Sequence, residues 1–484
     1  MSEKEAKLES IKDKRTELIK EIKNTKYENM EISEKDKKAN DLYHNKIVPN
    51  FKFKEDFYYN LSMKYKTEIE NNEFFKDLQY MPKGCLLHHH MNNSIDVQWI
   101  SDEIMKENNL KHIYMRKFRI YDILVYTTKP NEDDILFKNI IEQYLNENKN
   151  KTIYDYFHSK LSIFPEEIEN VKNNSEAWTV FSAKMFFCYY LILYKEFYKQ
   201  HIRNAFLQCI KDKQYRLESR ITIGEVLDEN FIPISYDEEF SIYKDELDNI
   251  NNNLNLNLET KFTFGVIIQM IRNKDDDFLK KSIEDSIALK KKYPDLICGL
   301  DLSGNEDNFR NFQELTPVML NNNDPGLPWI LHCGETIKGK NYNLIDGVLN
   351  KAKRLGHVVN LFKLGNLWEY LKNNNIILEI NPISNQTLRL VRDLRIHPCI
   401  GYHNNGIKIC INCDDPTIEN TKGVCYDFFV SFVIMEFDLI DFKCFCLNSI
   451  EGAQISNELK NEYKFLFQKD WNIFLDYFIK KYEN

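Results

Sequence analysis

The sequence predicts an α/β fold of the TIM-type (β/α)8 barrel class, with a helical extension at the N-terminus and an insertion after the first strand. Two observations carry this. Eight short apolar runs alternate with helical stretches along the chain, which is the order of a closed sheet of parallel strands. Chemistry-bearing residues follow five of those runs, and in such a barrel the C-terminal strand ends share one mouth. With 484 residues, 43% hydrophobic and 29% charged, the chain is long enough for one large domain with attachments.

Residues 1–75 are rich in Lys and Glu, with Leu8, Ile11, Leu18, Ile19 and Ile22 at helical spacing. They read as a helical arm outside the main core, suited to oligomerisation. The remainder, 76–484, reads as the barrel. Its first strand lies in Met81-Pro-Lys-Gly-Cys-Leu-Leu-His-His-His90, where alternation puts His88 and His90 on one side and His89 on the other. Residues from about 103 to 175 break the pattern and read as an insertion. An aromatic-rich helical region follows around Trp178 to Phe206. The later strands are predicted at Tyr215–Ile221, Phe262–Met270, Leu296–Leu302, Trp329–Cys333, Arg354–Val358, Ile376–Ile380 and Ile407–Cys413. Helices such as Asp277–Lys292 and Leu361–Asn373 lie between them. The Asn-rich patch from Asn251 to Asn257 is compositional.

Bulk properties exclude several functions. A net charge of -9 with interspersed bases argues against a nucleic-acid partner. No apolar run is long enough for a membrane span, and Met1-Ser-Glu-Lys-Glu-Ala-Lys lacks the apolar core of a secretory signal, so a cytoplasmic protein is expected, with secretion as the alternative. Eleven cysteines at irregular spacing form no zinc-finger framework and read as reduced thiols.

The chemistry gathers at strand ends. His88 and His90 follow the first strand, Asp301-Leu-Ser-Gly-Asn-Glu306 the fourth, His332 and Glu335 the fifth, His357 the sixth, and Asp414-Asp415 the eighth. His-x-His on a strand offers two imidazoles to one metal, and three histidines with one aspartate suit zinc carrying a water. Glu335, His357 and Asp415 are then free for proton transfer and substrate contacts. Gly334 lets the chain turn and lets a ligand approach.

These stretches resemble the adenosine deaminases of the metal-dependent amidohydrolase superfamily, most closely the adenosine deaminase-related growth factors. The similarity rests on Met81-Pro-Lys-Gly with Leu87-His-x-His90, Gly299-Leu-Asp-Leu-x-Gly304, His332-x-Gly-Glu335, Arg354-x-Gly-His357, Pro382-Ile-Ser-Asn-Gln386, His397-Pro398 and Asp414-Asp-Pro416. The resemblance implies one zinc ion per chain on His88, His90, His332 and Asp414. It implies that Glu335 donates a proton to purine N1 and that His357 orients or deprotonates the attacking water. Asp415 would meet the N7 side of the base and the Gly304 backbone N3. A homodimer through the N-terminal helices is also implied. Two departures stand out. Met91 and Asn92 occupy places where the family carries an acid, leaving Asn92 to hydrogen-bond the ribose, and Val358 replaces the Gly that follows Arg-x-Gly-His. The expected activity is deamination of adenosine or 2'-deoxyadenosine. AMP deaminase shares the His-Cys-Gly-Glu, but Met91 to Trp99 contains no Lys or Arg for a phosphate. A growth-factor-like binding protein with a vestigial site is the non-enzymatic alternative.

Overall fold

The computed structural model describes residues 3–28, 30–59, 61–106, 110–253 and 261–483; the second half of the Asn-rich patch lies outside them. Its eight barrel strands are β1 (Gly84–Leu86), β2 (Gln214–Ile221), β3 (Thr263–Ile271), β4 (Ile297–Ser303), β5 (Ile330–Cys333), β6 (Arg354–His357), β7 (Ile377–Ile380) and β8 (Ile409–Ile411). All pair in parallel with their sequence neighbours, in two four-stranded arcs, β1–β4 and β5–β8. A bridge between Leu300 and Trp329 joins β4 to β5. The ring closes where His89 pairs with Asp414 and Asn412 Oδ1 accepts the Leu87 and His88 amides at 3.0 and 3.1 Å. The strands are buried on both faces, as parallel strands under helices must be.

The inside of the barrel is ionic. Arg216, Glu218 and Arg220 alternate along β2 and point inward together. Arg216 Nε donates to Glu218 at 2.8 Å, and Arg354 bridges Glu218 at 2.6 Å to Glu379 at 2.5 Å. Arg220 bridges Glu379 at 2.8 Å to Asp301 at 2.7 Å. Three guanidiniums and three carboxylates thus form a neutral buried chain from β2 to the strand ends that carry the histidines. Burying one of these charges alone would be costly; each is paired at least once.

The N-terminal arm has two parts. The helix Glu3–Lys26 leaves its apolar residues in solvent, with Leu18 60% and Ile11 56% exposed. The helices from Glu34 to Leu78 instead enter the main core, burying Ala39, Tyr43, Phe57, Phe74 and Leu78. The reading of the whole arm as lying outside the core therefore holds only for the first helix. The buried part meets the C-terminal end of the chain. Phe74 packs against Phe429, Phe432 and Phe478, Asp36 accepts from Lys443 and Trp471 at 2.7 Å, and Asp77 accepts from Tyr477 and Lys481 at 2.6 Å.

Between β1 and β2 the chain forms a three-stranded antiparallel sheet (Ile113–Phe118, Tyr121–Tyr126, Ile135–Leu136) and short helices. The aromatic-rich region is two helices, Asn174–Leu191 and Lys195–Lys211. The inserted segment reaches the barrel mouth, where Ile163 N donates to Ile418 O at 2.8 Å and Ser162 Oγ to Thr417 O at 2.6 Å. Among the described residues no helix is long and apolar enough to cross a membrane.

Candidate metal centre and active site

Four imidazoles and two carboxylates converge at the C-terminal strand ends. His88 and His90 follow β1, His332 lies on β5, His357 ends β6, and Asp414 and Asp415 follow β8. His88 Nε2 is 3.1 Å and His90 Nε2 3.3 Å from Asp414 Oδ1, and the His90 and His332 Nε2 atoms are 3.1 Å apart. All of these side chains are buried apart from a rim of His90. Gly356 makes room for the cluster: a Cβ there would lie 2.6 Å from His88 Cε1. Gly334 has φ 76° and supplies the turn after β5, but its close neighbour is the Leu344 side chain.

Hydrogen bonds at the far nitrogen decide what each ring offers. His88 Nδ1 faces Glu379 Oε2 at 2.7 Å, His90 Nδ1 faces Gln269 Oε1 at 2.9 Å, and His332 Nδ1 faces Asp301 Oδ2 at 2.5 Å. Those oxygens accept, so each Nδ1 carries the proton and each Nε2 presents a lone pair inward. Burial outweighs the Asp301 carboxylate and holds His332 down to about 3, so its ring is neutral. Three lone pairs and the Asp414 carboxylate facing one another repel unless a cation lies among them. His88 Nε2 and Asp414 Oδ1 are buried atoms without a hydrogen-bond partner. The donor set fits a metal ion, three nitrogens and one oxygen being a set that divalent zinc accepts. His357 has an Nδ1 that receives the Asn385 amide at 3.0 Å, which sets it apart from the other three although it too lies within reach of Asp414.

Glu335 lies beside the cluster, its Oε1 3.6 Å from His357 Nε2. Its loop is held by Glu306, whose Oε1 accepts the Glu335 amide at 3.1 Å while Oε2 accepts from Asn343 at 2.8 Å. Burial, with Asp414 and Glu306 adding to it, pushes the Glu335 carboxyl well above the usual range. Enclosure therefore favours its protonated form. Burial and then Asp414 push Asp415 up to about 7, and Asn93 donates to its Oδ1 at 2.5 Å. Asn92 is half-buried in the turn after β1, with an Oδ1 that is enclosed and without a partner. Gly304 follows β4 with φ 111°, next to Ser303, which accepts from Gln269 at 2.6 Å. His357, Val358 and Asp414 also have left-handed backbones, with φ of 65°, 48° and 50°. For Val358 that conformation costs about 1–2 kcal/mol, which gives a physical reason for the Gly found there in the family it resembles.

A family model described as adenosine deaminase matches residues 242–465. The chain as a whole resembles adenosine deaminases. It is 28% identical over 440 residues to adenosine deaminase 2 of Dictyostelium discoideum, covering 87% of this chain and 78% of that one. To human adenosine deaminase 2 it is 27% identical over 430 residues, covering 84% and 81%. A Burkholderia ambifaria amidohydrolase solved with bound Zn shares the fold, with a TM-score of 0.57 at 14% identity over 84% of this chain and 94% of that one. The family-model match and the relatives named adenosine deaminase support a hydrolytic deaminase, and the barrel class read from the sequence is the fold of these relatives.

Several members of the deaminase site carry no role in the sequence reading. Asp301 was visible among the residues that end the fourth strand. Glu379 is a lone charge in an apolar run, and Gln269 and Arg220 lie inside predicted strands. A charged residue in an otherwise apolar strand was the available signal. Asn93 gave none.

Proposed function

We propose that this deaminase converts adenosine or 2'-deoxyadenosine to inosine or deoxyinosine, with one zinc ion per chain held by His88, His90, His332 and Asp414. The observation that carries the reading is the pairing of opposite offers around one small space: three inward lone pairs and, beside them, the buried acid of Glu335. Zinc bound there would bring the pKa of a coordinated water towards 7.

The chain's own groups account for the rest. Glu335 gives its proton to N1 of the purine, which removes charge that builds on the ring as C6 is attacked. His357 orients or deprotonates the attacking water from the Asp414 side. Asp415, oriented by Asn93, meets N7, the Gly304 backbone meets N3, and Asn92 meets the ribose. Of the water's two protons one passes to the amino nitrogen, which leaves as ammonia, and the other returns to the Glu335 carboxylate emptied by the transfer to N1. Burial of the whole cluster excludes bulk water and strengthens each of these contacts.

In the same proposal residues 76–484 form the catalytic unit, 103–175 its insertion, and 1–75 the arm. The exposed stripe of Leu8, Ile11, Leu18, Ile19 and Ile22 supports a homodimer through the first helix. All eleven cysteines are unpaired, which supports a reducing compartment. Metal analysis with an ultraviolet assay on adenosine tests the core of the reading. We expect about one zinc per chain and turnover, with both lost in His88→Ala and Asp414→Ala. Full zinc occupancy in both variants would refute the ligand assignment.

A further inference from the structure

The stretches Pro382-Ile-Ser-Asn-Gln386 and His397-Pro398 stand out in the sequence, yet neither supplies a metal ligand or a substrate contact. The structure joins them into one hydrogen-bonded chain. The Cys399 backbone amide donates to His397 Nδ1 at 3.2 Å, His397 Nε2 meets Asn385 Oδ1 at 3.0 Å, and Asn385 Nδ2 meets His357 Nδ1 at 3.0 Å. Asn385 and His397 are completely enclosed.

The direction of this chain is set at its far end. A backbone N–H can only donate, so His397 Nδ1 must be a lone pair. Burial holds the His397 ring down to about 3, so it is neutral and carries its single proton on Nε2. That proton is donated to Asn385 Oδ1, which fixes which end of the amide is oxygen. The amide NH2 then points at His357 Nδ1 and must find a lone pair there. The proton of His357 is left on Nε2, 3.5 Å from Asp414 Oδ2 and 3.6 Å from Glu335 Oε1; the Asn381 amide nitrogen is 3.4 Å from both ring nitrogens and so does not distinguish them. The three rings facing Glu379, Gln269 and Asp301 are set the other way round.

We propose that Asn385 and His397 are positioning residues that lock His357 as an N–H donor, so that it holds the attacking water rather than entering the metal's ligand set or accepting the water's proton at Nε2. This rests on the deaminase reading above and narrows the two roles open to His357 to one. The lock explains how a fourth imidazole can lie within ligand distance of Asp414 without competing for the metal: to offer its Nε2 lone pair it would have to move a proton to Nδ1, against the Asn385 amide. An N–H donor here also faces the Asp414 carboxylate, where a bare nitrogen would be repelled.

The tautomer can be read directly on the zinc-loaded, full-length chain with 15N-labelled histidine. Long-range proton–nitrogen correlations distinguish Nε2–H from Nδ1–H, and the His357→Gln variant assigns the signal. We expect His357 to carry Nε2–H; Nδ1–H would overturn the proposal. Asn385→Asp replaces the donor by an acceptor of the same shape, so the His357 proton should move to Nδ1. With that move kcat should fall by roughly 100-fold, the scale of one lost proton-holding group, while KM and zinc content stay near wild type. A swapped tautomer with unchanged kcat would refute the role. His397→Leu should lower kcat in the same way, and His397→Gln, which keeps one acceptor and one donor in the same order, should recover most of the loss. Equal damage from both would mean that His397 acts by packing and would also refute it. Because the tautomer is measured without turnover, an enzyme that fails to act on adenosine would count against the substrate reading alone.

Discussion

Replacing Glu379 by Gln tests whether the ionic interior of the barrel and the metal centre are one structure. Glu379 accepts three hydrogen bonds: His88 and Arg220 on Oε2 at 2.7 and 2.8 Å, and Arg354 on Oε1 at 2.5 Å. All four side chains are essentially inaccessible. Glutamine has the same shape but only one oxygen, so one amide hydrogen must face either the Arg354 Nε–H or the His88 and Arg220 donors. The chain also goes from neutral to one net positive charge in a place water does not reach. Breaking one partner of a buried ion pair costs about 3–5 kcal/mol. If the NH2 turns towards His88 it also removes the acceptor that fixes the ring's tautomer, and losing such a support lowers metal affinity roughly 10–100-fold. Glu218→Gln is the matched control. Glu218 accepts from Arg216, Arg354 and the Gln454 amide at 2.8, 2.6 and 2.6 Å but touches no histidine. Denaturant unfolding of the metal-free proteins should show comparable losses for both variants, and zinc titration should show weakened binding for Glu379→Gln alone. Equal zinc affinity in the two variants would refute the coupling, and unchanged stability in both would refute the energetic role of the chain.

Glu335→Gln keeps the shape of the proton donor and should lower turnover by at least about 100-fold with zinc retained; near wild-type rates would place the acid elsewhere. Acid sensitivity should follow Glu379. Burial alone would raise its carboxyl, but Arg220 and Arg354 outweigh that and hold it well below the usual range. A depressed folded value means that the unfolded chain takes the proton first, so this stability is complete above the unfolded value near 4 and is lost as pH falls. The stability gap between wild type and Glu379→Gln should therefore be flat above about pH 5 and close below about pH 4; a gap that widens in acid would contradict it. Replacing Leu8, Ile11, Leu18 and Ile22 together by Gln should convert a dimer into a folded monomer in sedimentation at micromolar concentration. A wild-type chain that is itself monomeric would remove the proposed role of the first helix.

Much of the barrel was legible because strands buried on both faces read as continuous apolar runs, and seven of the eight lie within two residues of the expected bounds at each end. The same property hid the interior. A run such as Tyr215–Ile221 does not say which face meets the axis, and Arg220 finds Glu379 at a separation of 159 residues. The site's first layer was legible for a different reason: His-x-His, His-x-x-Glu and Asp-Asp are short patterns whose spacing is itself the chemistry. What each histidine offers was not, because a tautomer depends on a partner 28 residues away for His357 and 291 for His88. The arm shows the same limit. Its helices had the right spacing, yet whether they reach solvent or core is decided by the helix Asn457–Tyr482 at the other end of the chain.

That meeting of the two ends governs how the molecule can be made. The sheet closes only when β8 arrives beside β1, and the core helices of the arm find their partners from Gln386 onward, the last of them Phe478 and Lys481. A chain growing from the ribosome at about 5–20 residues per second holds Phe74 and Asp77 for roughly 20–80 s before the last of those partners emerges. During that interval the arm has nowhere to bury its apolar face, so the nascent chain depends on holding factors or on its own provisional contacts. Stalled chains ending before Ser456 should have arms that a protease cuts freely, and the released full-length chain should protect the arm helices Glu34–Leu42 and Glu73–Leu78. Protection of the arm in the stalled chains would show that it finds a resting place before the barrel exists.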